Sequence, residues 1–211
     1  MSHIGEVLTN RAAVAGLTIP ESLSRPLIVY FELLERWNRK INLSSLSDPQ
    51  EAVDRLLLEP IAAALRLPHG VDLVDLGSGG GSPAVPLALA LESPRLVMVE
   101  SRVRKAAFLR EVVRELGLRG SVEAARFEDV SQNPSFSTQF GIASVRAVRL
   151  DPELFDAASR LLMPGGRLAL FRSEDAPDAP SGLPASLALT DHCSLIPATR
   201  SALTVLEKRS T

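Results

Sequence analysis

The 211-residue chain has a single cysteine, Cys193. An internal disulfide framework is therefore excluded, and one thiol fits a reducing compartment. Its three histidines, His3, His69 and His192, are scattered without metal-ligand spacing, so no metal site is expected. No apolar run reaches the length that spans a bilayer, and the first residues lack a basic-then-apolar leader. A cytoplasmic protein with no membrane partner is expected. Charge of one sign is also missing: 23 Lys and Arg stand against 25 Asp and Glu, a net charge of −2. This excludes a generally basic coat, so any nucleic-acid site must be a local patch. Lysine itself is scarce, limited to Lys40, Lys105 and Lys208. The other cations are arginines, which suit bidentate phosphate contacts but are also what a GC-rich genome produces.

What is present is an ordinary globular composition, 45% hydrophobic and 23% charged, with enough length for one core and a modest extension. Residues 1–21 carry weak periodicity, as a short helix or a frayed segment would. Ser24 reads as a helix cap with Pro26 in the first turn. Leu27, Phe31, Leu34, Trp37 and Ile41 then recur at spacings of three and four as one apolar face, which polar Asn42, Ser44 and Ser45 end. Asp48, followed by Pro49 and by Glu51 three residues on, starts a second helix with its apolar stripe at Val53, Leu57, Ile61 and Leu65. Pro60 falls inside that stripe, where it should kink or divide the helix. These helices, residues 1–68, are expected to pack as an extension on a core of residues 69–211.

From residue 71 short strands alternate with helices. The strands are read at 71–76, 95–99, 121–125, 140–145 and 167–172, with helices near 84–92, 102–116 and 151–162. Such alternation implies an α/β, doubly wound, mostly parallel sheet covered on both faces. Residues 185–208 hold two more strand-like runs, "SLALTDHCSLI" and "SALTVLEK", with no helix between them, suited to an antiparallel sheet edge. The Pro- and Asp-rich 174–184 is read as a mobile loop.

The stretch "DLGSGGGSP", residues 75–83, ends the first strand, where a doubly wound sheet places its ligand. A dinucleotide fingerprint would need glycine at residue 82, which is Ser82. No Gly-Lys-Ser/Thr follows, so a Walker-type phosphate loop is excluded. Pro83 and Pro86 leave few free amides at the helix start, against a phosphate site. The pattern D-x-G-x-G-x-G instead fits the first motif of S-adenosylmethionine-dependent methyltransferases. Asp75 can attract the cofactor's ammonium, and the bare backbone at Gly77 and Gly79 lets its methionine part lie close. Glu100, ending the second strand, can accept from both ribose hydroxyls, or can simply cap the next helix. After the third strand, Phe127 offers an apolar wall and Glu128 a polar partner for adenine. Arg146, ending the fourth strand, should reach the cofactor carboxylate or the substrate, with Arg149 close by.

Over Leu33 to Lys208 the chain resembles the RsmG (GidB) family. "LLERWNRKINLSSLSDPQE", "DLGSGGGSPAVPLAL", "VESRVRKAAFLREVVRELGL", "RFED", "VRAV", "LLMPGGRLALF" and "LTVLEK" keep that family's order and spacing. It departs from the family's usual residues at Leu56, Glu59, Pro60, Ser82, Ala84, Val145, Arg149, Arg172 and Ser173. The resemblance implies a class I methyltransferase fold, S-adenosylmethionine as cofactor, and methylation of guanine N7 in 16S ribosomal RNA of the small subunit. It also implies a monomer, with cofactor contacts at Gly77, Ser82, Phe127, Glu128 and Arg146. Guanine N7 bears no proton, so no acid–base residue is assigned. Arg146 is the positioning candidate; Arg55, Arg149 and Arg172 are candidates for guanine or phosphate contacts. Arg36, Arg39 and Lys40, closing the first long helix, are candidates for phosphate alone. Two alternatives stay open: a diverged methyltransferase for another RNA or a small molecule, and a non-catalytic ribosome-assembly factor.

Overall fold

The computed structural model describes residues 3–43 and 48–210. Ser44 and Ser45, expected to help end the first long helix, lie outside the described residues. Strands β1 (Leu73–Leu76), β2 (Leu96–Val99), β3 (Gly120–Glu123), β4 (Phe140–Arg146), β5 (Leu162–Ser173), β6 (Leu187–Ser194) and β7 (Ser201–Lys208) form one seven-stranded sheet, ordered β3-β2-β1-β4-β5-β7-β6. From β3 through β5 every neighbouring pair is parallel, as the alternating pattern predicts. The antiparallel edge comes from the last two strands, with β7 inserted between β5 and β6. Burial explains that order. β7 is buried from Ser201 to Leu206 and needs neighbours on both sides, whereas β6 is largely half-buried or exposed and tolerates the edge.

Alternate strand residues face two cores. Leu73, Met98, Ile142, Ala169 and Phe171 face α1 (His3–Val14), α2 (Glu21–Asn38), α5 (Ala84–Ala90) and α6 (Val103–Glu115). Val74, Val97, Ala143, Val145 and Leu168 face α8 (Pro152–Leu161) and the short α7 (Phe127–Ser131). The weakly periodic start of the chain is a formed helix: Ile4, Leu8 and Ala12 bury one face, and Arg11 pairs with the buried Asp54.

Three features differ from the sequence reading by more than a residue or two at an element's end. Helix α2 begins at Glu21 rather than after Ser24, so Pro26 lies inside it. Leu23 extends the apolar stripe upstream and Glu21 pairs with Arg25 one turn on, which together outweigh the single bond that Pro26 cannot make. Strand β5 starts at Leu162, which pairs with Phe140; residues 163–166 bulge out, with Gly165 at φ +75°, before Arg167 resumes pairing with Ile142. The segment after β3 forms α7, a helix the sequence reading left out.

The second helix starts where expected: Asp48 caps α3 (Pro49–Val53) by accepting from the Gln50 amide at 2.8 Å. Ahead of Pro60 it converts to a π turn, Asp54–Leu58, and then resumes as α4 (Glu59–Ala64).

Candidate functional site

Strand order reverses between β1 and β4, so the crevice opens beyond their carboxyl ends, where residues 77–83 and Arg146 face each other. The glycine loop is held by backbone and side chains together. The Gly77 and Ser78 amides donate to Val99 O at 2.9 and 3.0 Å, and the Tyr30 hydroxyl donates to Gly80 O at 2.6 Å. Burial pushes the Tyr30 hydroxyl above its usual pKa, so it stays a neutral donor. Glu100 ties the loop to the start of α6: its two oxygens accept from the Gly79 amide at 2.9 Å and the Arg102 amide at 2.7 Å.

Two cavities meet at Gly77 and Glu100. One, of about 250 Å³, reaches past β2 and β3 and is lined by Ala125, Phe127, Glu128 and Val148. The other, of about 340 Å³, lies under the glycine loop, between an apolar wall of Leu34, Leu43 and Leu56 and the cations Arg102, Lys105 and Arg146. Together they suit an elongated ligand with an aromatic end and a charged end.

Arg146 occupies the centre of a network. Its Nη2 donates to Glu59 Oε2 at 2.7 Å, and its Nη1 donates to Arg55 O at 2.5 Å and to Ser82 Oγ at 3.4 Å. The guanidinium lies over the Phe171 ring, 4.6 Å from its centroid. Burial pulls its pKa below the usual arginine value and the Glu59 carboxylate opposes that; it remains a cation. Glu59, only 2% exposed, uses its other oxygen to accept from Ser201 Oγ at 2.6 Å. Ser82 Oγ donates to Leu56 O at 2.9 Å.

Of the residues expected at the site, Gly77, Gly79, Ser82, Glu100, Phe127, Glu128 and Arg146 line one or both cavities. Others stand elsewhere. Asp75 lines neither: its side chain lies on the sheet face, in register with Ser144, whose hydroxyl donates to it at 2.5 Å. A carboxylate walled in there supports the loop from below, one layer beneath the crevice surface. Arg55 contributes a carbonyl, while its side chain borders a separate polar cavity beside Asp48 and Thr199. Arg172 donates to Pro177 O at 2.7 Å, toward the 174–184 loop and away from both cavities' linings. Arg36 pairs with Glu111 of α6. Arg149 points into solvent, its side chain 89% exposed, and Arg39 and Lys40 are exposed beyond the end of α2. His192 and Asp178 approach within 3.4 Å, a pairing the sequence reading did not anticipate; it lies beside the buried Thr204, and neither residue lines the crevice cavities.

Burial lifts the Asp75 carboxyl to about 6, against the opposing bonds from Ser144 and Ser78. Its contribution to stability is therefore full below about pH 4 and is lost as pH rises through about 6, since the folded protein holds the proton that the unfolded chain releases. Asp75→Asn should flatten that slope. Urea unfolding at pH 4 and at pH 7.5 should show the variant gaining on the parent by up to about 3 kcal/mol between the two. Parallel curves would mean that Asp75 titrates normally.

The family model for rRNA small subunit methyltransferase G (GidB) matches residues 24–193. The chain belongs to the RsmG (GidB) family. Members named ribosomal RNA small subunit methyltransferase G resemble it over most of their length. That of Alkalilimnicola ehrlichii is 38% identical over 173 residues, 82% of this chain and 76% of the relative. That of Stenotrophomonas maltophilia is 34% identical over 179 residues, 82% of each chain. Solved structures share the fold at far lower identity. A mutant of MtNAS in complex with S-adenosylmethionine covers 98% of this chain and 88% of its own, at TM-score 0.58 and 14% identity. TYW2 of P. horikoshii, in complex with MeSAdo, covers 72% and 62%, at TM-score 0.57 and 15% identity. The match to the RsmG family takes in the glycine loop, Glu59, Glu100 and Arg146 alike.

Proposed function

We propose that this protein transfers the methyl group of S-adenosylmethionine to N7 of a guanine in 16S ribosomal RNA of the small subunit. The observation that carries this reading is the pair of cavities joined at Gly77 and Glu100, at the carboxyl ends of β1 and β4, in a chain of this family.

The residues suit the cofactor. A β-carbon at Gly77 would come within 2.6 Å of Val148 Cγ2, so only a bare backbone leaves that passage open. Glu100 holds two amides and retains lone pairs for ribose hydroxyls. Phe127 offers an apolar wall to adenine and Glu128 an acceptor for its amino group. Arg146 keeps N–H groups beyond those it donates to Glu59, Arg55 and Ser82, and these are suited to the methionine carboxylate. S-Adenosylmethionine supplies an electrophilic methyl group on a sulfonium.

The protein's own contribution is positional. Guanine N7 carries an in-plane lone pair and no proton, so no base has to be placed beside it. Leu34, Leu43 and Leu56 give the target base an apolar surface and exclude water, while Arg146 fixes the cofactor end. Arg102 and Lys105 line the same cavity, and with Arg39 and Lys40 they suit phosphates flanking the target. N7 faces the deep, narrow groove of an RNA helix, so the target guanine lies in a loop or an opened segment. Residues 1–68 supply the leucine wall to the core at 69–211, so the two work as one unit, and the family resemblance implies that this unit acts as a monomer.

Calorimetry should register binding of S-adenosylmethionine and none of NAD. Deleting the gene should remove one 7-methylguanosine from small-subunit RNA. An unchanged methylation map overturns the assigned target, and absence of S-adenosylmethionine binding overturns the enzyme.

A further inference from the structure

We infer that Glu59 and Pro60 are positioning residues that hold Arg146 and the glycine loop in working geometry from within the second helix. In a π turn each carbonyl accepts from the amide five residues on, as Asp54 O does from Glu59 N. The next such donor would be the amide of residue 60, but proline has none. Arg55 O thus has no π partner and Leu56 O no α partner at position 60. Side chains from across the crevice donate to both: Arg146 Nη1 reaches Arg55 O at 2.5 Å and Ser82 Oγ reaches Leu56 O at 2.9 Å. Pro60 is therefore a docking device as well as a helix interruption. It presents two carbonyls that have no donor at position 60 to Arg146, at the end of β4, and to Ser82 of the glycine loop.

Glu59 completes the clamp. Its carboxylate, anchored by Ser201 of β7, accepts from Arg146 Nη2 at 2.7 Å, and Phe171 backs the guanidinium plane. One edge of the guanidinium is thus directed into the helix, and the rest is free for a ligand. Three elements meet at this point: the π turn, β4 and the antiparallel pair β5–β7.

This inference rests on the reading that Arg146 serves the cofactor, and its test separates the two. Glu59→Gln, Glu59→Asp, Pro60→Ala, Arg146→Ala and the double variant Glu59→Gln/Arg146→Ala are compared in the full chain. Affinity for S-adenosylmethionine, kcat and KM on 16S RNA, and melting temperature are measured for each. Glu59→Gln should lower cofactor affinity and kcat/KM on the order of tenfold, and the double variant should lose no more than Arg146→Ala alone. Glu59→Asp, which keeps the charge, should recover part of the loss. Pro60→Ala restores an amide that competes for the two carbonyls. It should melt no lower than the parent, since alanine favours a helix, yet lose affinity and kcat/KM by about fivefold or more. If Glu59→Gln does not fold, Pro60→Ala decides. Additive losses in the double variant, or parental affinity in Pro60→Ala, overturn the inference. The cofactor arm needs no RNA, so a parent that binds S-adenosylmethionine and leaves 16S RNA unmethylated overturns the target alone.

Discussion

Arg146→Ala is expected to lower kcat/KM for RNA methylation by about 100-fold or more, because it removes a cation that links the helix, the glycine loop and the crevice. It should also destabilise the fold by about 3–5 kcal/mol, the usual result of removing one partner from a buried ion pair. Glu59, 2% exposed, would keep only the Ser201 hydroxyl as a partner, and Arg55 O would lose its donor. Arg146→Lys separates charge from shape. A lysine keeps the cation near Glu59 but cannot present a planar fork to Glu59 and Arg55 O while stacking on Phe171. It should recover most of the stability and little of the activity. Urea unfolding reads the first, and transfer of radiolabelled methyl to 16S RNA reads the second. Full activity in the lysine variant would mean that the fork geometry is not required.

The fold was largely legible because its signals are local. A helix cap at Asp48, the alternation after residue 71 and the glycine run at 77–81 each act within a few residues, and each forms where its chemistry puts it. The bonding of Asp75 and of Glu59 was not legible for the opposite reason. Asp75 stands next to the glycines in sequence, yet strand alternation turns it onto the sheet face, where Ser144, 69 residues away, satisfies it. Counting faces from Leu73 would have found this, since Asp75 shares that residue's side. Glu59 was noticed only as a departure from the family's usual residue. Its signal was available: a carboxylate among buried leucines and alanines must meet a cation or a donor. Which cation it meets depends on the sheet order, and nothing near Glu59 in sequence specifies that. The inner position of β7 has the same character, since two apolar runs without a helix between them predict a pair and leave open which member pairs with β5.

The second large effect is expected at Gly77, and comparison with Gly79 isolates its cause. Both have positive φ, +80° and +53°, so alanine at either pays a backbone penalty of about 1–2 kcal/mol. Only at Gly77 is the space filled: an added β-carbon would meet Val148 Cγ2 at 2.6 Å, whereas at Gly79 the nearest atom is Gly77 O at 3.8 Å. Gly77 is tethered by its amide, bonded to Val99 O at 2.9 Å, so Val148 must give way by rotating its side chain or shifting its turn. Gly77 borders both cavities and Val148 borders one of them, so that movement deforms the passage between them. Gly77→Ala should weaken S-adenosylmethionine binding by more than about tenfold, equivalent to about 1.4 kcal/mol, and Gly79→Ala by much less. The double variant Gly77→Ala/Val148→Ala removes the clashing methyl and should regain most of the affinity while keeping the backbone penalty in its stability. Should Gly77→Ala and Gly79→Ala weaken binding equally, or Val148→Ala bring no recovery, the close approach of the two loops is not what shapes the crevice.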